Sequence, residues 1–335
     1  MSFEIGDIHP NTPHLFADLA ELLLLSGYIG RTHLHKNDLE NLLNNGSITT
    51  EEIDDEANAE QEADNTDVST AERTNRLERQ LEDVFTQLGY RANALIDYYP
   101  FSVDGERLLM KDTLTEKHRV YRLLLACSRL RSFGRDGLPQ RWAKHFAQLS
   151  KIALEALVPI RAETRVFDAN SDDRKNYYST DLRIALKKMG QDLGVLKINE
   201  EECNKAGPSG DAGFDLITTL KFDDGAATNF ALLGQCGAQE NGWPSKTLEA
   251  HAINLRHFFQ IQFDYPSTMF TPVCYRTSTG SWVDNKCANG ILLADRGRIL
   301  NLIEVQNQWA TLVQLPWFEK FEQDFAVIRS TPYVW

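Results

Sequence analysis

The stretch Gly210-Asp211-Ala212-Gly213-Phe214-Asp215 opens onto the apolar run Leu216–Phe222. After the turn Asp223-Asp224-Gly225 the chain returns through Phe230–Cys236, ending Leu233-Gly234-Gln235-Cys236-Gly237. Two short strand-like runs joined by a Gly-containing turn read as an antiparallel hairpin. An acid stands at the entry of the first run and a Gln at the exit of the second, so folding back brings Asp215 and Gln235 to one edge of a sheet. Downstream, residues 245–259 carry helical spacing and 268–276 read as a further strand. Upstream, 180–193 reads as a helix and 195–199 as a short strand.

The remainder of the N-terminal half has a different texture. Leu15, Phe16, Leu19, Leu22, Leu23 and Leu24 repeat at helical spacing, and Gly27 and Gly30 end the run. Lys36–Leu43 predicts a second short helix, too poor in basic residues for DNA recognition. Further stripes run through Leu77–Leu88, Val120–Cys127 and Trp142–Leu157. Arg161–Tyr178 reads as an irregular junction. Segments 291–305 and 309–328 are mixed apolar runs of either type. The basic residues Arg129, Arg131, Arg135, Arg141 and Lys144 flank Gly134 and Gly137; they are the best phosphate-contacting candidates of this half, against the plainer reading of a solvated helix end.

Charge is unevenly placed. The net charge is −13, but Glu51–Glu72 holds ten acids and no Lys or Arg, so the rest of the chain carries only −3. Residues 46–70, acidic and poor in large apolar side chains, read as a mobile solvated loop. From Asp181 onward 18 acids face 14 bases, which argues against a broad basic DNA-binding face while leaving a nucleic-acid substrate open. The most apolar window, Leu15–Ile29, is broken by Asp18, Glu21 and Ser26, so no transmembrane span is expected, and the first residues lack a secretory pattern. Five cysteines without a CxxC pair read as buried thiols in a reducing compartment, and a cytoplasmic location is the expectation. The pair His33-Leu34-His35 has no Cys or further His nearby, which disfavours zinc. A GxxxxGK[ST] loop and a GxSxG elbow are both absent from the sequence.

The hairpin with its acid and Gln, followed by helix and strand, resembles the restriction-endonuclease-like nuclease superfamily, PD-(D/E)xK, in its Gln-bearing variant. The resemblance covers residues 180–276. It implies an α+β chain: an all-helical N-terminal domain (1–165) with the acidic loop, then a restriction-endonuclease-like α/β domain (175–335) with a mixed central sheet. It implies Mg²⁺, with Mn²⁺ able to substitute, held by Asp215 and Gln235, and an upstream acid on the first core helix. Asp181 is chosen for that acid, with Asp192 also at suitable spacing. One departure stands out: the family's Lys normally lies two residues after the Glu or Gln, and here that position is Gly237. Lys246, the next base, is assigned as its substitute. The implied activity is cleavage of DNA phosphodiesters as an endonuclease of bacterial or phage defence, with a possible ATPase or helicase partner and possible homo-oligomer. The rival reading is an inactive nuclease fold serving as an interaction or DNA-binding subunit.

Overall fold

A computed structural model describes residues 3–8, 12–50, 70–134, 137–249 and 251–330. The expected mobile loop, over its residues 51–69, and Arg135 lie outside the described residues. The fold is mixed α+β and forms two compact units. One comprises Met1–Pro139, Val273–Val283 and Val313–Trp335; the other comprises Gln140–Pro272 and Asp284–Leu312. The boundary expected at 165–175 thus falls inside the second unit, and two later segments belong to the first.

The first unit is not all-helical. Helices α1 (Pro13–Leu25), α2 (Lys36–Asn44), α3 (Thr70–Ala94) and α4 (Glu116–Ser128) accompany a three-stranded antiparallel sheet. Its strands are β1 (His33–His35), β2 (Phe101–Asp104) and β3 (Arg107–Met110), with β3 central. Each has only three or four residues, too few for a period-two pattern to show. The Asp104-Gly105 turn, with Gly105 at φ +55°, is what reverses β2 into β3. His33 and His35 belong to β1, and the His35 side chain caps α2.

The α1 run that resembled an interrupted apolar span is a core helix, buried along nearly its whole length. Its two acids explain why. Arg91 of α3, itself buried, donates Nη1 to Asp18 Oδ1 (2.6 Å) and Glu21 Oε1 (2.7 Å), and Nη2 to the His14 carbonyl (2.6 Å). Tyr99 and Tyr121 donate their hydroxyls to Glu21, and Ser128 donates to Asp18. Every carboxylate oxygen in this dry network has a donor, the condition under which buried charge is tolerated. No helix among the described residues is long and apolar enough to cross a membrane. The basic cluster is used internally as well: buried Arg129 donates to the Ile5 and Asp7 carbonyls and to Ser132, and Arg131 donates to the Asp7 carbonyl. These two arginines fasten the segment Ile5–Asp7.

The second unit carries the mixed five-stranded sheet, in the order β8-β7-β6-β5-β4. Its strands are β4 (Glu163–Val166), β5 (Leu216–Leu220), β6 (Phe230–Cys236), β7 (Ser267–Phe270) and β8 (Leu292–Ala294). β4, β5 and β6 pair antiparallel; β6, β7 and β8 pair parallel. The hairpin is as read from the sequence, as is the return to a parallel strand after a helix. β4, however, lies in the stretch read as an irregular junction. The 195–199 segment contributes only Lys197–Ile198 to a separate two-stranded ladder. Helix α5 (Leu138–Glu155) enters this unit, and α6 (Leu182–Leu193) buries Leu182, Ala185, Leu186, Met189 and Leu193 against Phe214, Ile217, Ala231 and Leu233 of the sheet. The expected helix 245–259 is shorter: a 3₁₀ turn at Trp243–Lys246, then α7 (Ala252–Phe258), begun where the His251 side chain accepts from the Ile253 N–H. The unsettled segments resolve as β8 followed by helix Arg296–Gln306, and as a C-terminal helix Pro316–Ser330 in the first unit. None of the five cysteines is in a disulfide.

Replacing Arg91 by Met leaves Asp18 and Glu21 buried without their shared cation. Such one-sided removal costs about 3–5 kcal/mol. Urea unfolding of Arg91→Met should show a loss of that order, and a loss under about 1 kcal/mol contradicts the network's role.

Candidate functional site

The site starts with a tight loop. Gly210 (φ +98°), Ala212 (φ +56°) and Gly213 (φ +84°) turn the chain, and Asp211 Oδ1 accepts from the Gly213 N–H at 2.9 Å. Gly213 is needed twice over, because a Cβ there would also sit 3.0 Å from the Glu249 carbonyl oxygen. The loop delivers Asp215 to the start of β5. The Asp215 N–H donates to the Gly234 carbonyl (3.0 Å), and the Asp215 carbonyl accepts from the Phe167 N–H (2.6 Å).

The register then decides which side chains meet. The β5–β6 pairing ends with Leu216 opposite Gly234, and Asp215 and Gln235 are the next residues of the two segments at that end of the hairpin. The carboxylate is held: Asp215 Oδ2 accepts from the Cys236 N–H at 2.7 Å. Gln235 is 5 % exposed. Its Nε2 donates to Glu249 Oε2 at 3.3 Å, which fixes the other end of the amide as the acceptor. That acceptor, the buried Oε1, has no donor among the described residues.

Electrostatics single out Asp215. Burial pushes its carboxyl up to about 7, and the carboxylates of Asp211 and Asp168 push the same way, while the Cys236 N–H and the Lys246 ammonium pull it down. Lys246 stands at the end of the 3₁₀ turn Trp243–Lys246, and its charge is among those that act on Asp215. A groove of about 490 Å³ adjoins the site, lined by Leu182, Ser209, Gly210, Asp211, Glu249 and Asn254 among others. A second groove, of about 400 Å³ at Lys197, Arg256 and Phe259, holds none of the expected residues.

Asp181 is engaged elsewhere. It is the N-cap of α6, accepting from the Arg183 N–H (3.0 Å), and its carboxylate takes both Arg183 Nε (2.9 Å) and Nη2 (2.5 Å). The Arg183 guanidinium holds its pKa down at about 2. A carboxylate committed to a cap and a bidentate arginine is a helix-start residue, so Asp181 leaves the candidate ligand set. Asp192, the other acid weighed, is buried late in α6 and holds the Tyr177 hydroxyl (2.9 Å) and Lys221 Nζ (2.6 Å). The acids that act on Asp215 are Asp211 and Asp168, and the acid on Gln235 is Glu249. Sequence reasoning passed over all three. Asp211 lay inside the quoted loop, and Glu249 follows Lys246 by three residues; Asp168 gave no local signal.

Gly237 has a packing reason. A Cβ there would lie 2.4 Å from both Met269 Cε and Trp243 Cβ, and Trp243 is fully buried. The methionine end can move, but the tryptophan Cβ cannot, so a side chain at position 237 is crowded out.

A metal ion fits this donor set in kind. Mg²⁺ takes hard oxygen ligands, and the Asp215 carboxylate and the Gln235 amide oxygen, which lacks a donor among the described residues, are two such oxygens at one end of the hairpin. No group of three or more His, Cys, Asp or Glu that could hold a metal ion occurs among the described residues. Comparison with protein-family models, curated proteins and solved structures gave no significant match.

Two outcomes follow. A carboxyl whose pKa is raised by folding binds its proton preferentially in the folded state, so the fold loses stability as pH rises from about 4 to about 7 and carries that cost above it. In EDTA, Asp215→Asn should therefore be more stable than wild type at pH 8 and no more stable at pH 4; a gain independent of pH contradicts the assignment. Gly237→Ala should lose about 1–3 kcal/mol in urea unfolding through overpacking against Trp243, and a neutral result would show the site tolerates a side chain there.

Proposed function

We propose that this protein is a Mg²⁺-dependent DNA endonuclease with a restriction-endonuclease-like core, Mn²⁺ serving in place of Mg²⁺. The observation that carries the reading is the buried Gln235 Oε1, without a donor among the described residues, at the same end of the antiparallel hairpin as Asp215, whose carboxylate is held by the N–H of Cys236, the residue after Gln235. An acceptor left bare in a dry place is costly, by about 1–3 kcal/mol, unless a ligand completes it. The sheet is consistent in kind with that core, since the hairpin β5–β6 is followed by α7 and the parallel strand β7.

Asp215 and the Gln235 amide oxygen would hold the ion. When bound, it supplies neutralisation of phosphate charge and a water of lowered pKa. The chain's own groups do the rest. Glu249 fixes the Gln235 amide by its Nε2, so the oxygen is the end presented. The Cys236 N–H fixes one Asp215 oxygen. Lys246, on the turn beyond the strand, would supply the positive charge that Gly237 cannot, against charge developing on a phosphate. Asp211 and Glu249 line the groove next to the site; they repel bare phosphate and favour a cation-bridged one.

The wider setting is part of the same proposal and rests on the resemblance: duplex DNA as substrate, a role in bacterial anti-phage defence, an ATPase or helicase as partner, a second copy of the chain, a cytoplasmic location. One observation favours an alternative in which the fold binds partners without cleaving, namely the crowding at Gly237 that removes the usual Lys.

Linear and supercoiled DNA incubated with Mg²⁺ or Mn²⁺ distinguish the two. Cleavage should require the ion, vanish in Asp215→Ala, fall by a factor of about 10² or more in Lys246→Ala, and persist in Asp181→Ala. Ion-independent cleavage, or equal cleavage by Asp215→Ala, overturns the proposal.

A further inference from the structure

We propose that Arg174 is the positioning residue of the Asp215–Gln235 cation site, holding the two segments that place Asp215. The inference rests on the reading of that site as a cation site.

The Arg174 side chain is fully buried, and its hydrogen bonds among the described residues go to main-chain carbonyls and not to a carboxylate. Its nitrogens go to main-chain carbonyls from three separate segments. Nη1 donates to Phe167 (2.8 Å), Nη2 to Gly210 (3.2 Å) and Nε to Ser179 (2.7 Å). The guanidinium also lies over the Phe167 ring, 4.4 Å from its centroid. A planar fork with fixed donors suits that task, and an ammonium on a flexible stem does not.

Each of those carbonyls leads to the site. Phe167 receives Arg174 on its carbonyl and donates its own N–H to the Asp215 carbonyl at 2.6 Å. Its neighbour Asp168 is one of the acids whose charge Asp215 feels. Gly210 opens the turn that carries Asp211 and ends at Asp215. Ser179 is held at φ +125°, a conformation that a non-glycine residue keeps only when its surroundings impose it, and it precedes the α6 cap by two residues. Arg174 itself begins a short π-helical turn, Arg174–Tyr178, and its N–H is held by Ser171 Oγ at 3.0 Å. One buried cation thus ties the entry loop, the edge strand β4 and the start of α6 to a common point. Its charge also faces Asp211, Asp168 and Asp181, which gather around it with no bond to it.

The charge and the clamp act oppositely on a bound cation. A positive Arg174 weakens cation binding by repulsion, and the clamp strengthens it by fixing Asp215. Arg174→Lys separates them, because it keeps the charge and loses the fork.

The test is Mn²⁺ binding to the full chain, read by electron paramagnetic resonance of the free ion at a temperature where circular dichroism shows each variant folded. Asp215→Asn sets the baseline. Arg174→Lys should weaken Mn²⁺ binding roughly 10- to 100-fold, as loss of an outer support of a ligand does, while the far-ultraviolet spectrum stays that of wild type. A role in stability alone would lower the melting temperature and leave affinity in the folded state unchanged. Wild-type affinity in folded Arg174→Lys overturns this inference and leaves the cation site standing. Failure of the wild type to bind Mn²⁺, or equal binding by Asp215→Asn, overturns the cation site and this inference with it. Should Arg174→Lys not fold, amide exchange in the wild type decides: Mg²⁺ should slow exchange of the Phe167 N–H that joins the clamp to Asp215, and unchanged exchange there overturns the inference.

Discussion

The pairing of Leu216 with Gly234 is the constraint on which the candidate site depends. It is a close pairing: a Cβ on Gly234 would lie 2.9 Å from Leu216 Cβ, so only a residue without a side chain lets the two strands meet there. A slip of one residue would send Asp215 to the opposite face of the sheet from Gln235, because side chains alternate with a period of two. The same register seats Ile217 and Leu233 against α6, so the packing that stabilises the sheet also fixes the site. Apolar burial and site geometry here are consequences of a single alignment.

Around that alignment the molecule accumulates charge in two ways. In the first unit, Arg91 is bonded directly to Asp18 and Glu21, and tyrosine and serine hydroxyls complete both carboxylates. Every carboxylate oxygen of that network has a donor, and only the Arg91 Nε is left over. Around Asp215 the acids Asp168 and Asp211 act, while the buried Arg174, whose charge acts on the same two acids, spends its donors on carbonyls. The Gln235 oxygen has no donor among the described residues. A satisfied buried network is structural in character, and an unsatisfied one at a groove edge is where a ligand has something to contribute.

The sequence made particular elements legible, for identifiable physical reasons. The β5–β6 hairpin announced itself through two apolar runs and the Asp223-Asp224-Gly225 turn, and with it Asp215 and Gln235. Helix α6 showed a clear apolar stripe. Strand β4, Glu163-Thr164-Arg165-Val166, did not show, because an edge strand with polar alternate residues looks like loop. The small sheet of the first unit was hidden by strands of three and four residues, although Asp104-Gly105 between Val103 and Leu108 was the signal to heed. Asp181 was chosen by spacing along a helix; its identity as a cap next to Arg183 was written in the same three residues and reads as the stronger local signal. Arg174, Asp168 and Glu249 come together only through long-range folding, and no local pattern marks them. The packing of Trp243 against Gly237 is of the same kind.

The central claim is that Asp215 and the amide oxygen of Gln235 share a divalent cation. Anomalous diffraction at the manganese edge, from crystals of the full chain grown with Mn²⁺, tests it most directly. The account predicts a peak bonded to an Asp215 carboxylate oxygen and to Gln235 Oε1, at about 2.0–2.2 Å as for other hard-cation sites, with Glu249 still accepting from Nε2. Density empty between the two residues at saturating Mn²⁺, with Gln235 Oε1 met by a protein donor instead, would contradict it.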